Sequence, residues 1–173
     1  MPGNTMARRV RAAGRAFGAA ASAAGMAALP GKKALHGHAA SVECAEAWGW
    51  TCSVALEAAL RLSEPAAPRW DAGVGLCRTD GAPDEVIVWI EPHPASSTGA
   101  VGEMLAKLDW LKAKLLQRGF AGFRELTVAA QRHGAAYRWL ARTGAIRIRP
   151  GTREHRQLVK AGLGMPQRHL TLP

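Results

Sequence analysis

Two periods of apolar residues alternate along this chain, and the elements follow from them. In "STGAVGEMLAKLDWLKAKLLQRG", Val101, Met104, Leu105, Leu108, Leu111 and Leu115 fall on one stripe at helical spacing, and Gly119 ends the run, which predicts a helix. An earlier helix is predicted from Ser41 to Leu62, where Ala45, Trp48, Cys52, Ala55, Ala59 and Leu62 recur behind Ser41 as cap. Two strand-like runs, Arg69 to Arg78 and Asp84 to Glu91, flank "TDGAP", whose Asp-Gly and Pro mark a turn. Further on, Glu125 to Ala130 ("ELTVAA") reads as a short strand, "RHGAAYRWLARTG" as a helix closed by Gly144, and Ala145 to Arg149 ("AIRIR") as another strand. The resulting order predicts an α/β fold: a mixed sheet containing an antiparallel hairpin, with flanking helices.

The run "DEVIVWIEPHPA" carries the first chemical signal. Alternation places Ile87, Trp89, Glu91 and His93 on one face and Val86, Val88 and Ile90 on the other, so both faces are apolar up to Ile90, as in a central strand. A carboxylate at the end of such a strand is costly to desolvate without a partner. If "TDGAP" is a five-residue loop, Arg78 faces Asp84, and Asp71 stands directly opposite Glu91. Opposed side chains share a face with Cβ atoms about 4.5–5.5 Å apart. Two carboxylates held there repel, and a divalent cation such as Mg²⁺ relieves the repulsion. A two-residue turn at Asp80-Gly81 would instead send them to opposite faces.

Charge divides the chain into three. Residues 1–40 hold six Lys/Arg and no acid, 41–141 hold ten against twelve, and 142–173 hold seven against one. We read residues 1–38 as a basic, flexible arm rather than an export signal, 39–150 as the α/β domain and 151–173 as a basic tail. Basic ends favour polyanions, nucleic acid first, because each neutralised phosphate releases counterions. Arg147, Arg149, Arg153 and Arg156 are the candidate phosphate contacts. No run of about eighteen strongly apolar residues occurs, so no membrane partner is expected. Cys44, Cys52 and Cys77 form no CxxC, which fits a reducing, cytoplasmic setting.

With Asp71 in "RWDAG" and Glu91 in "WIEPH", the sequence resembles the PD-(D/E)XK nuclease superfamily, the restriction-endonuclease-like fold, whose core order of helix, hairpin, helix and strand matches residues 41–130. The resemblance implies Mg²⁺- or Mn²⁺-dependent hydrolysis of phosphodiester bonds in DNA or RNA, with Asp71 and Glu91 as metal ligands. The motif departs from the superfamily's at two places: His93 occupies the lysine slot, and Trp70 stands where proline precedes the acid. His93 could act as general base. Alternatively Lys107, on the following helix, supplies a migrated lysine, and Glu46 is the first-helix acid that would help hold the metal. Two other functions compete: a catalytically inactive nucleic-acid-binding module of the same fold, and a protein-interaction domain.

Other constellations are weaker. His36 and His38 form an HxH pair without a clear third ligand, and Asp71, His93 and Ser96 or Ser97 lack the Gly-x-Ser-x-Gly elbow of an acyl-transfer triad. No phosphate-cradling glycine loop of the GxxxxGK[ST] or GxGxxG type stands between a strand and a helix. The six tryptophans read as packing residues.

Overall fold

The computed structural model describes residues 14–134, 136–142 and 144–173. Its centre is an antiparallel meander of three strands, β3 (Trp48–Ala55), β4 (Ala72–Arg78) and β5 (Glu85–His93). Strand β1 (Leu29–Pro30) extends it beside β3, and β6 (Tyr137–Ala141) lies parallel to β5, giving the order β1-β3-β4-β5-β6. The fold is therefore α/β with a mixed five-stranded sheet. Positions 86–92 of β5 are all buried, which is what apolar residues on both faces demand.

One face of the sheet is covered by three helices, α1 (Arg15–Ala23), α3 (Gly99–Leu115) and α4 (Ala121–Gln131). Phe17 of α1 and Phe123 of α4 pack edge to face with centroids 5.5 Å apart, and Trp89 of β5 meets Phe123 at 5.7 Å. Trp89 donates from its indole nitrogen to Thr127 Oγ1 at 2.9 Å, which satisfies a buried donor. On α3, Val101, Met104, Leu108, Leu111 and Leu115 of the expected stripe are buried and Leu105 is half-buried at its border. The opposite face is covered by a 3-10 segment (Lys33–Ser41) and a parallel ribbon of β2 (Val42–Cys44) and β7 (Leu170–Leu172). Ser53 accepts a hydrogen bond from the Ala34 amide on that side, and Arg138 donates to Thr171 O. Among the described residues no helix is long and apolar enough to cross a membrane.

Several expected elements take another form. Trp48–Ala55, expected inside a helix over 41–62, is strand β3, and within that span only Leu56–Leu60 (α2) is α-helical. Its aromatic and β-branched residues pair with β4, and that pairing overrides the helical spacing. Glu125–Ala130, expected as a strand, belongs to α4, where Phe123, Leu126, Thr127 and Ala130 form the buried stripe. The segment expected as a helix over 132–144 contains β6 instead, and Ala145–Arg149 has no regular structure although Ile148 is buried.

The expected basic arm is folded from Arg15 onward, since Phe17, Ala20 and Ala21 are buried and the Ala16 and Phe17 amides donate to the Glu85 carboxylate. Residues 1–13 of that arm lie outside the described residues. The expected basic tail holds α5 (Arg153–Ala161), capped by the Thr152 hydroxyl and ended by Gly162 at φ 79°, and then β7.

Candidate functional site

The β4–β5 register runs from Ala72 opposite Ile90 to Cys77 opposite Glu85, and the Arg78 amide donates to Asp84 O across the loop at 3.3 Å. This is the five-residue loop geometry anticipated from "TDGAP". One step beyond Ala72, Asp71 comes opposite Glu91, and the Asp71 amide donates to Glu91 Oε2 at 2.7 Å.

Glu91 is 2% exposed, so its charge needs compensation. Lys107 supplies it: Nζ lies 2.6 Å from Glu91 Oε1 and donates to Arg69 O at 3.0 Å. His93, two residues along the same strand face, bonds through Nε2 to Glu103 Oε2 at 2.8 Å. Glu103 and Lys107 are i, i+4 on α3, so one face of the helix meets one face of the strand through two side-chain pairs.

Burial pushes the Glu91 carboxyl up to about 7, against the opposing charge and hydrogen bond of Lys107, while the neighbouring Asp71 adds to the rise. Asp71 is also raised by burial; Lys107, His38 and His36 counter that rise and Glu57 adds to it. The Asp71 carboxylate is half-buried and makes no hydrogen bond or ion pair with the described residues.

Glu46 does not join this site. It sits in the turn between β2 and β3, where Thr79 Oγ1 donates to its carbonyl at 3.1 Å, at the opposite end of β4 from Asp71. The acid beside Asp71 is Glu57, whose amide donates to Asp71 O at 3.1 Å. Its carboxylate is held by Arg61 at 2.8 Å and Arg69 at 3.1 Å, and these bonds, that of Arg61 first, lower its pKa against the opposing effect of burial. An acyl-transfer triad is not assembled, because Ser97 accepts from the Ala100 amide at the start of α3 and His93 is turned to Glu103.

Arg147, Arg149, Arg153 and Arg156 are all exposed. The Arg147 amide donates to Ala95 O at 3.0 Å, which brings the basic segment to the carboxylate end of β5. Arg153 and Arg156 follow on α5. The Arg142 amide donates to His93 O at 3.2 Å, so that arginine, which sequence reasoning passed over, lies closer to the strand end than any of the four in chain position. The tryptophans pack as expected, with Trp70, Trp89 and Trp139 fully buried.

No family model, curated protein or solved structure matches this chain.

Proposed function

We propose that the protein is a metal-dependent nuclease of the restriction-endonuclease-like class, with Asp71, Glu91 and Lys107 at its centre. The observation that carries the reading is the convergence of two opposed carboxylates and a helix-borne lysine at one end of β5. The chain order supports it: α1, the β3–β4–β5 meander, α3 and α4, then β6 parallel to β5. This order contains the helix, hairpin, helix and strand of the superfamily the sequence resembles, with β3, α2 and α4 added and with α1 and β6, rather than residues within 41–130, as its outer elements.

The donors fit a hard cation in type. Asp71 and Glu91 offer carboxylate oxygens, each Glu91 oxygen accepts one protein hydrogen bond and keeps a lone pair free, and Asp71 accepts none from the described residues. Among the described residues no group of three or more His, Cys, Asp or Glu converges. Two protein carboxylates, with water and substrate phosphate completing the shell, are what Mg²⁺ accepts. When bound, Mg²⁺ or Mn²⁺ supplies charge stabilisation at the phosphoryl oxygens and a more acidic water.

The chain's own groups divide the remaining work. The Asp71 amide and Lys107 fix the orientation of the Glu91 carboxylate, and Arg69 O fixes the ammonium of Lys107, whose remaining proton is free to orient a nucleophilic water. Lys107 takes this role rather than His93, whose ring is occupied by Glu103. Cleavage of plasmid DNA and structured RNA with Mg²⁺, Mn²⁺ or EDTA tests the reading. Metal-dependent cleavage is expected, and its absence in both substrates with both metals contradicts it.

One observation favours a second reading, an inactive nucleic-acid-binding module. A carboxyl that titrates near 7 and is already paired with Lys107 competes weakly for metal at neutral pH. That module binds nucleic acid in EDTA as well as in Mg²⁺, with affinity that falls steeply as salt rises.

A further inference from the structure

A recess with basic side chains around its rim opens at the same end of the sheet. It has a volume of about 340 Å³ and is lined by His38, Ser41, Arg142, Arg168 and His169 around Leu140 and Ala141. Leu140 and Ala141 end β6 and pair with Pro92 and His93 of β5, so the recess adjoins the strand ends that carry Glu91 and His93.

The chemistry of the lining is one-sided. Two arginines and two histidines face the space with a serine hydroxyl, and no acid lines it. The Arg168 guanidinium is anchored by a hydrogen bond from Nη2 to Gly144 O, which fixes its charge at the rim and leaves its other N–H groups available. Among the described residues the side chains of His38, Ser41, Arg142 and His169 make no hydrogen bond or ion pair. The two guanidiniums have no counter-ion in the lining, and an anion with several acceptor oxygens supplies one while using the fork of an arginine, a hydroxyl and ring N–H donors.

We propose that this recess binds a backbone phosphate of the nucleic-acid strand, adjacent to the phosphate engaged at Asp71 and Glu91. The inference rests on the nucleic-acid reading of that site and deepens it: a second anchor gives the bound strand a direction across the end of the sheet, from Asp71 past His38 toward Arg168.

Binding of labelled single-stranded and duplex oligonucleotides, measured by anisotropy over a salt series, tests the assignment. Arg142→Gln/Arg168→Gln is compared with Arg118→Gln/Arg132→Gln, which removes the same charge from exposed positions that do not line the recess. The recess variant is expected to lose about tenfold or more in affinity near physiological salt, with a slope of log K against log salt shallower by about one or more, while the control loses less than about threefold. Equal losses in the two variants would overturn the proposal in favour of diffuse charge. In parallel, the His38 and His169 ring resonances are followed as inorganic phosphate is added. Shifts from phosphate without any oligonucleotide binding make the recess a free-phosphate site and also overturn the proposal. Cleavage by the unmodified protein with an unchanged KM in the recess variant overturns the subsite but not the nuclease reading. No cleavage, with selective loss of oligonucleotide binding, overturns the nuclease reading and sustains the subsite.

Discussion

The ammonium of Lys107 stands 2.6 Å from Oε1 of Glu91, although the two residues belong to different elements. Burial would make either charge costly alone, and the pairing makes α3 and β5 one electrostatic unit.

Removing the lysine exposes that dependence. Lys107→Met leaves a buried carboxylate uncompensated, with an expected cost of about 3–5 kcal/mol at pH 8 where Glu91 is ionised. The loss shrinks at pH 5, where the carboxyl takes a proton. Urea unfolding at the two pH values checks this, and Lys107→Met/Glu91→Gln should recover much of the loss. A loss independent of pH, with no recovery in the double variant, would show that Lys107 contributes packing alone.

Glu91 also shapes the pH dependence of the native protein. Its folded-state pKa is raised from 4.5 to about 7, so the native state binds the proton more tightly than the unfolded chain. The contribution is fully present below about 4.5 and is lost as pH rises through about 7, amounting to about 3 kcal/mol. Glu91→Gln should remove this share. Because Asp71 and Glu85 are raised as well, the prediction concerns the difference between the two proteins, seen as a shallower fall of Tm from pH 5 to 7.5 in the variant.

Metal binding should follow the same titration in reverse. A cation at Asp71 and Glu91 displaces the Glu91 proton, so Mn²⁺ affinity is expected to climb as pH rises toward about 7 and to level off above it. Calorimetry in buffers of different ionisation enthalpy should register proton release at pH 6 and little at pH 8.5. Affinity that is flat across this range would place the metal elsewhere.

The N-terminal helix gives a prediction about the fold. A Cβ on Gly75 would lie 2.5 Å from Thr51 Oγ1 and 2.6 Å from Phe17 Cδ2, so Gly75→Ala should cost about 1–3 kcal/mol. Gly18, inside α1 with open space around its Cβ direction, should gain about 0.5–1 kcal/mol on replacement by Ala. Chemical denaturation of both variants checks that residues 15–23 are structural. A flexible arm would leave Gly18→Ala silent and reduce the cost of Gly75→Ala to its clash with Thr51.

The hairpin and its carboxylate pair were legible because local chemistry determines them. The loop "TDGAP" and Pro83 fix the register, and a central strand shows itself by apolar residues on both faces. What stayed hidden depends on distant partners. Trp48, Trp50, Cys52 and Val54 alternate as strand residues do, but Trp48, Cys52 and Ala55 also fit a helix, and only the pairing of β3 with β4 decides between them. The five residues of β6 are too few to show a period, and their parallel neighbour lies more than forty positions earlier. The α4 stripe begins at Phe123, before the window "ELTVAA" that resembles a strand. Small residues concealed α1, yet they are why it packs closely, with Ala20 against Gly122. Glu46 would face the site only on a continuous helix, and its segment is a turn, whereas Glu57 reaches Asp71 through α2. Lys107 needed only α3, the element whose periodicity was unambiguous.

The most direct test of the account is the single-turnover cleavage rate of labelled DNA and RNA in Mg²⁺ or Mn²⁺, for the unmodified protein and for Asp71→Asn, Glu91→Gln and Lys107→Met. Folding of each variant is confirmed by its cooperative unfolding. The account predicts metal-dependent cleavage that falls at least about 100-fold in each variant, the scale of a lost transition-state contact. Cleavage that persists in the folded Asp71→Asn and Glu91→Gln proteins, or none from the unmodified protein with either metal, would contradict it.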